Sequence, residues 1–271
     1  MGNKLNNTII KTSEIDYSFN EKQILNKVNI DVKQGEILGI VGPNGSGKTT
    51  IFNILNGSIK PNNGNIYING INVRDLSTNE RSKLIAVAPQ NAVFPEDMSI
   101  FELTAMGRNP HLNLLSWESE NDNQLTIQSI DRVGLLGLTS KKLKHTSGGE
   151  KQLALIAMTI CQQTPIMLLD EPTSNLDIKN QFHIMDTISK IRGDSNKTIL
   201  INLHDLNLAT KYCDKIIFLK DGTVFCQGEP KKVITSENIE SVYGISVNIL
   251  KDPRSLLPII QPISKKFDLY T

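Results

Sequence analysis

A glycine-rich octapeptide constrains this chain more than any other feature of its sequence. It runs, in order, through Gly42, Pro43, Asn44, Gly45, Ser46, Gly47, Lys48 and Thr49. The apolar run 37–41 precedes it, and Ile51, Phe52 and Leu55 follow at helical spacing. A strand, a glycine turn and a helix in this order predict a phosphate-binding loop, because the turn and the helix N-terminus present backbone N–H groups to phosphate oxygens.

The residues that end this loop have the chemistry that a nucleotide requires. Lys48 is expected to reach the β- and γ-phosphates, and the hydroxyl of Thr49 to hold Mg²⁺, with Thr50 included in the nucleotide-binding set. An ordinary glycine turn would require neither the Lys-Thr pair nor the preceding strand. We therefore predict a nucleotide as the ligand.

Composition limits the other classes of function. The chain has 271 residues, and its 29 Lys and Arg against 28 Asp and Glu leave a net charge of +1, so no basic field favours nucleic acid. The three cysteines, Cys161, Cys213 and Cys226, lack metal-ligand spacing and fit reduced thiols in a cytoplasm. No apolar run approaches the roughly 20 residues of a membrane-spanning helix, and the N-terminus lacks a signal-peptide pattern. Any membrane role is therefore expected to come through a partner.

The hydrophobic pattern changes several times along the chain. Alternation from 8 to about 36 predicts short antiparallel strands. Near-helical spacing of Leu125, Ile127, Ile130, Val133 and Leu136 predicts a helical lobe over 101 to about 143. The runs 166–169 and 198–203 are typical of strands covered on both faces. A hairpin turning at Asp221-Gly222 follows, and beyond Tyr243 we expect a tail with at most one strand.

Polar side chains follow the two buried strands. Asp170 and Glu171 come after the first strand, and His204 after the second. Ligands of open α/β sheets bind at the carboxyl ends of strands, so these residues are expected near the phosphate loop. Asp170 would hold the water shell of Mg²⁺, and Glu171 would polarise the attacking water as general base. Two such acids are sometimes only a helix cap and first turn.

A second glycine motif, Ser147-Gly148-Gly149, precedes the apolar helical segment 153–160. Taken alone it is typical of a helix start, with Ser147 as cap and Glu150 completing a capping box. The alternative is a second contact with phosphate through exposed backbone N–H groups.

From about Thr8 to Pro262 the chain resembles the ATP-binding cassette family. The motifs of this family follow a fixed order: an aromatic residue, Walker A, the glutamine loop, the signature, Walker B, the D-loop and the switch histidine. In this chain the matching residues, in the same order, are Phe19, 42–49, Gln90, 146–150, 166–171, 174–177 and His204. The resemblance implies an α/β fold: a P-loop NTPase with a RecA-like core, an antiparallel β subdomain and an inserted α-helical subdomain. It implies one domain, 1–271, with the core and β subdomain at about 8–92 and 160–245, the helical subdomain at about 93–159 and a C-terminal tail at about 246–271.

The resemblance also implies roles for the matched residues. Phe19 would stack on adenine, with Tyr17 as the alternative. Gln90 would contact Mg²⁺ or water and report nucleotide state to the helical lobe. His204 would bind the γ-phosphate, which makes Lys48, Glu171 and His204 the expected catalytic set. Ser147, Gly148 and Gly149, together with Asp177 of the D-loop, would contact nucleotide in a homodimer that forms on ATP binding.

The chain departs from the family pattern at Thr146 and Glu150, where leucine and glutamine are usual, and at Met158, where many relatives have arginine. Its closest resemblance within the family is to ATPase subunits of iron-siderophore, haem and cobalamin importers, on residues 107–111, 204–214 and 239–244. That implies ATP and Mg²⁺ as ligands, polytopic permease subunits and an extracytoplasmic substrate-binding protein as partners, and a peripheral place on the cytoplasmic face of the membrane. Zinc or manganese importers and the soluble ATPase of iron–sulfur cluster assembly remain alternatives.

Overall fold

The computed structural model describes residues 7–90, 92–112 and 119–263. Its strands are β1 (Thr8–Phe19), β2 (Lys22–Val28), β3 (Asp31–Lys33), β4 (Ile37–Val41), β5 (Asn63–Ile68), β6 (Ile71–Asn72), β7 (Ile85–Ala88), β8 (Ile166–Asp170), β9 (Thr198–Asn202), β10 (Lys215–Lys220), β11 (Thr223–Gly228), β12 (Val247–Lys251) and β13 (Pro258–Pro262). Its α-helices are α1 (Lys48–Leu55), α2 (Thr78–Ser82), α3 (Ile100–Ala105), α4 (Glu120–Arg132), α5 (Gly148–Cys161), α6 (Ile178–Ser195), α7 (Leu206–Tyr212), α8 (Pro230–Val233) and α9 (Ser236–Tyr243). Short 3₁₀ helices cover Val73–Asp75, Met106–His111, Leu136–Leu138 and Leu143–His145.

The N-terminal strands form the predicted antiparallel sheet. β2, β1, β5 and β6 lie in this order, and β3 pairs with the other end of β1. Ile10 and Ile15 of β1 both contribute to a core shared with α1 and the face of the second sheet that carries Leu38 and Ile40. They are five residues apart, and the strand is irregular between Ser13 and Asp16, where Glu14 has a φ of 47°. The simple alternation that the sequence predicted is therefore interrupted in β1.

A second sheet positions the candidate site. Its six strands lie in the order β11-β10-β4-β9-β8-β7, and all the pairs except β10 with β11 are parallel. Every residue of β4, β8 and β9 is buried, as helices on both faces require. The predicted hairpin between β10 and β11 is confirmed: Asp221 and Gly222 have φ of 46° and 73°, the conformation of a tight two-residue turn.

The predicted helical pattern corresponds to α4 and the turn that follows it. α3 and α4 pack against α5, and two of the five apolar residues of the pattern, Ile130 and Val133, are buried, whereas Ile127 and Leu136 are 44% and 48% exposed. Asp122, Thr126 and Ser129 of α4 are also on the buried side. Polar residues are tolerated on the buried side because they are satisfied: Asp122 accepts a bond of 2.8 Å from Nε of Arg108.

The C-terminal tail contains more structure than its sequence indicated. Instead of one strand at most, 247–262 forms a hairpin of β12 and β13. The amide side chain of Asn207 on α7 holds β13, donating to the carbonyl of Ile260 at 3.2 Å and accepting from its N–H at 2.8 Å. The Asn207 amide thus forms with Ile260 the pair of hydrogen bonds that a neighbouring strand would otherwise form. None of the helices in the described ranges is both long and apolar enough to cross a membrane.

Candidate nucleotide-binding site

The predicted phosphate loop leads from β4 into α1, as its sequence indicated. Two of its glycines, Gly42 and Gly47, have no room for a Cβ. Gly47 has a φ of 102°, and a Cβ there would lie 2.5 Å from the side chain of Leu25. A Cβ at Gly42 would collide with the carbonyl oxygen of Leu219. The loop therefore depends on glycine for its curvature and for its fit beneath the neighbouring strands.

Lys48, the first residue of α1, is buried and turned back toward the loop. Its Nζ donates to the carbonyl oxygens of Gly42 at 2.8 Å and Pro43 at 3.1 Å. Burial lowers the pKa of Lys48, and the carboxylates of Glu171 and Asp170 oppose this shift. A desolvated ammonium group held beside the loop is preorganised for anionic oxygens.

Asp170 ends β8 beside the loop and is almost fully buried. It accepts a hydrogen bond from the Asn202 amide at 2.6 Å, and the nearby hydroxyl of Thr49 also acts to lower the pKa of Asp170. Burial is the main reason that the pKa of Asp170 is raised, and Glu171 adds to it. Two other buried atoms, Oγ of Ser46 and Oδ1 of Asn202, have no hydrogen-bond partner among the described residues. The site thus presents polar groups that only a ligand or water would satisfy.

Replacing Asp170 with asparagine should stabilise the nucleotide-free protein at neutral pH. An ionised carboxylate whose folded pKa is raised costs stability above that pKa, and the cost disappears as the pH falls through it. The introduced amide would also offer an N–H to the unpaired Oδ1 of Asn202. We expect a higher melting temperature than wild type at pH 7.5 and a smaller difference at acidic pH, measured by calorimetry. The exposed Asp131→Asn should not show this pattern; a lower melting temperature for Asp170→Asn would contradict the burial argument.

Glu171 follows Asp170 in the left-handed region, with a φ of 50°. Its two carboxylate oxygens are bound by different elements: Oε2 accepts from Nε2 of Gln90, and Oε1 is bonded to Nε2 of His204. Gln90 follows β7, and His204 follows β9. Three strand ends that are distant in sequence therefore meet at one carboxylate, as the predicted parallel sheet required.

The remaining predicted residues lie apart from this cluster. Among the described residues, no hydrogen bond joins Ser147, Gly148 or Gly149 to the loop at 42–49, and the two glycines pack near Leu176 and Asn180. Ser147 caps α5 with Glu150 as its capping-box partner, as the structural alternative for this motif predicted. Asp177 caps α6 by accepting a bond of 2.8 Å from the N–H of Asn180. One chain does not bring these groups to its own phosphate loop.

Phe19 and Tyr17 have different environments at the end of β1. The pairing of β1 with β2 shifts register between Tyr17 and Ser18. Tyr17 packs on the core beneath the antiparallel sheet, whereas Phe19 is 62% exposed. The exposed ring is the one that is available for stacking.

Asn202 was missed by sequence reasoning. It lies opposite Asp170 in the pairing of β8 with β9 and is completely buried. A polar residue in an otherwise apolar strand, one strand away from an expected Mg²⁺ ligand, was the available signal.

The parallel sheet, the loop between its strand β4 and α1, and the acids at the end of β8 define a P-loop nucleotide hydrolase. Residues 25–174 match the ABC transporter family. The chain belongs to this family and is an ATPase of its class, which confirms the predicted fold and its ATP ligand.

Relatives match almost the whole chain. An uncharacterized ABC transporter ATP-binding protein of Methanocaldococcus jannaschii is 36% identical over 94% of this chain and 98% of the relative. The ferric enterobactin transport ATP-binding protein FepC of Escherichia coli is 32% identical, with 94% of each chain covered.

Two solved structures share the fold. One, a transporter assigned to the metal-chelate type and seen in an inward-facing conformation, has a TM-score of 0.85 and 26% identity, covering 96% of this chain and 100% of that chain. The other, a dimeric ATP-binding cassette in a post-hydrolysis state with ADP and Pi bound, has a TM-score of 0.71 and 29% identity, covering 81% of this chain and 98% of that chain.

Proposed function

We propose that this chain is the ATP-hydrolysing subunit of an importer, and that its cargo is an iron-siderophore complex, haem or cobalamin. The observation that carries the proposal is similarity along 94% of the chain to a ferric enterobactin transport subunit, combined with the cluster of Lys48, Asp170, Glu171, Gln90 and His204. The permease subunits, the extracytoplasmic binding protein and the peripheral location on the cytoplasmic face belong to this proposal.

The donor set around Asp170 fits Mg²⁺. A carboxylate, the hydroxyl of Thr49 and the amide oxygen of Gln90 are hard oxygen ligands, and few protein ligands suffice because Mg²⁺ keeps water and takes phosphate oxygens. No cluster of three His, Cys, Asp or Glu side chains suited to an all-protein metal site occurs in the described ranges. When bound, the ion would neutralise charge that develops on the phosphates.

We expect Glu171 to exchange its partners during hydrolysis. Each of its carboxylate oxygens has one hydrogen-bond partner, Gln90 for Oε2 and His204 for Oε1. One lone pair remains on each oxygen, and a general base must direct such a pair at the attacking water. The γ-phosphate would draw His204 away, and Gln90 would turn toward the phosphates and their counter-ion. Glu171 would then accept the proton of the water, while Lys48 and the loop N–H groups stabilise the phosphate oxygens.

A homodimer would complete the site. Ser147 and Gly148 are exposed at the N-terminus of α5, next to the buried Gly149, and the helix dipole favours an anion there. They make no hydrogen bond with their own phosphate loop, so a second copy is the natural source of the phosphate. The dimeric relative with ADP and Pi supports this arrangement.

A cleft beside the glutamine loop is the proposed place for a permease helix. It has a volume of about 480 Å³ and is lined by apolar side chains that include Phe94, Met106 and Met158. Only part of the apolar segment that follows Gln90 can contact a docked helix. Ile100 and Leu103 are completely buried in the core. Phe94, Met98 and Phe101 are half-buried and keep part of their surface accessible. Because Gln90 contacts Glu171, a helix docked here would respond to the state of the nucleotide.

We expect Phe94→Asp to uncouple transport and to spare ATP hydrolysis by the isolated subunit, because the charge lies in the docking cleft and outside the catalytic cluster. Co-purification with the membrane subunits is the measurement, and the yield should fall by at least about tenfold, as for an interface anchor. Phe225→Asp is the matched control, since Phe225 is 42% exposed on β11, at the far edge of the sheet from β7. Normal complexes with Phe94→Asp would place the permease elsewhere.

Uptake by whole cells tests the proposed function. Deletion of the gene should abolish accumulation of one of three labelled cargoes, a ferric siderophore, haem or cobalamin, and a plasmid copy should restore it. A Lys48→Ala copy should not. Loss of zinc or manganese uptake alone would reassign the importer, and unchanged uptake of all the cargoes would overturn the proposal.

A further inference from the structure

Lys141 and Glu150 form an ion pair beside the signature motif. Nζ of Lys141 lies 2.9 Å from Oε1 and 2.7 Å from Oε2 of Glu150. Glu150 is the residue that stands where the family usually has glutamine. Its Oε2 also accepts the N–H of Ser147 at 2.8 Å, and Oγ of Ser147 accepts the N–H of Glu150 at 3.2 Å. Lys141 therefore contacts the residue that completes the cap of α5.

The hydroxyl of Ser147 is used differently from the hydroxyls of three similar caps. In the capping boxes of α2, α3 and α4, the serine hydroxyl also donates to the box carboxylate, at 2.6, 2.7 and 2.6 Å. The Ser147 hydroxyl makes no bond of this length to Glu150. The pKa of Glu150 is lowered first by the hydrogen bond from Lys141, and the Ser147 hydroxyl has the weakest of the lowering effects. At this carboxylate, Lys141 thus donates the hydrogen bond that the serine hydroxyl donates in the other three capping boxes.

Charge makes this replacement important for ATP. An N-terminal carboxylate normally favours a helix, but at α5 it would lie beside the site proposed for the γ-phosphate and would repel it. The carboxylate would also accept a hydrogen bond from the Ser147 hydroxyl, which would then not be available to the phosphate. A glutamine at this position carries no charge, so a glutamate there requires compensation.

We propose that Lys141 is a positioning residue for the ATP sandwich. Lys141 neutralises the charge of Glu150. The Ser147 hydroxyl is then free to donate a hydrogen bond to the γ-phosphate held by the second copy, and the positive end of α5 can attract that phosphate. The inference rests on the proposed function, and specifically on the ATP-dependent homodimer. It also explains how the chain tolerates its departure from glutamine at position 150.

The competing explanation is a surface ion pair that only steadies the loop before α5. The side chains of Lys141 and Glu150 are 30% and 25% exposed, and such pairs contribute little to stability. Lys144 provides a comparison, because it also precedes α5 but is paired at 2.6 Å with Asp97, which is not a signature residue. A structural role predicts similar consequences for both lysines.

The experiment measures the ATP concentration that gives half-maximal dimerisation of full-length protein carrying Glu171→Gln. Lys141→Met should raise this ATP concentration roughly tenfold, because the uncompensated charge of Glu150 would repel the phosphate and Glu150 would accept the hydrogen bond of the Ser147 hydroxyl. Lys141→Arg should restore the original value, and so should Lys141→Met combined with Glu150→Gln. Lys144→Met should leave it unchanged. The tenfold difference should shrink in 1 M salt, which screens charge but does not repair a damaged fold.

Three results would overturn the proposal. An unchanged concentration for Lys141→Met would show that Glu150 does not disturb the phosphate. A defect that persists when Glu150→Gln is added would show that Lys141 acts on the nucleotide or on the fold directly. If Glu171→Gln with Lys141 intact does not dimerise at any ATP concentration, the homodimer itself fails, and the inference fails with it; that result is distinct from the first two.

Discussion

Replacing Lys48 with alanine should weaken ATP binding by about 100-fold, since it removes charge-assisted hydrogen bonds to the β- and γ-phosphates. Within the described parts of the chain no other cation replaces it, because the partners of Lys48 there are loop carbonyls and the carboxylates of Asp170 and Glu171. Without the lysine those acids would face the triphosphate directly. Equilibrium titration with labelled ATP is the measurement.

A matched variant separates binding from folding. Lys60→Ala removes an exposed lysine that lies outside the site and should bind ATP like the wild type. The melting temperature of Lys48→Ala shows whether the loop survives loss of the bonds to Gly42 and Pro43. A folded Lys48→Ala protein with wild-type affinity would refute the assignment of the phosphate loop.

Glu171→Gln should bind ATP with nearly unchanged affinity and lose at least about 100-fold in turnover, the typical contribution of a general base. Glutamine has the same shape and can still pair with Gln90 or His204, but it cannot accept the proton of the attacking water. Single-turnover hydrolysis measures the chemical step separately from product release. Glu237→Gln, which makes the same change at an exposed carboxylate on α9, outside the site, serves as the comparison. Normal single turnover in Glu171→Gln would place the base elsewhere.

Local pattern predicted the elements that depend on nearby residues. The loop at 42–49, the strands β8 and β9 and the turn at Asp221 were all recognisable, because glycine geometry and strand burial leave a direct signature in sequence. Matched motif order added the expected roles of Gln90 and His204. Both residues reach Glu171, although 81 and 33 residues of chain separate them from it.

Features that depend on tertiary partners were not predictable in this way. The polar residues on the buried side of α4 were not predictable, because Asp122 is paired there with Arg108 from another element. The strand β13 escaped detection because prolines at both its ends weaken a strand pattern, and its partner on α7 is the side chain of Asn207. Glu150 was identified as a departure from the family, but nothing in the sequence paired it with Lys141.

The mass of the Glu171→Gln protein with and without Mg-ATP tests the central claim most directly, namely that ATP joins two copies into the working unit. Light scattering coupled to size exclusion should give the 30.1 kDa monomer in nucleotide-free buffer and twice that mass with Mg-ATP. Addition of Ser147→Arg, which fills the donor site at the start of α5, should return the protein to the monomer without affecting ATP binding by its own loop. A monomer at high protein concentration with saturating Mg-ATP, or a dimer that Ser147→Arg leaves intact, would contradict the claim.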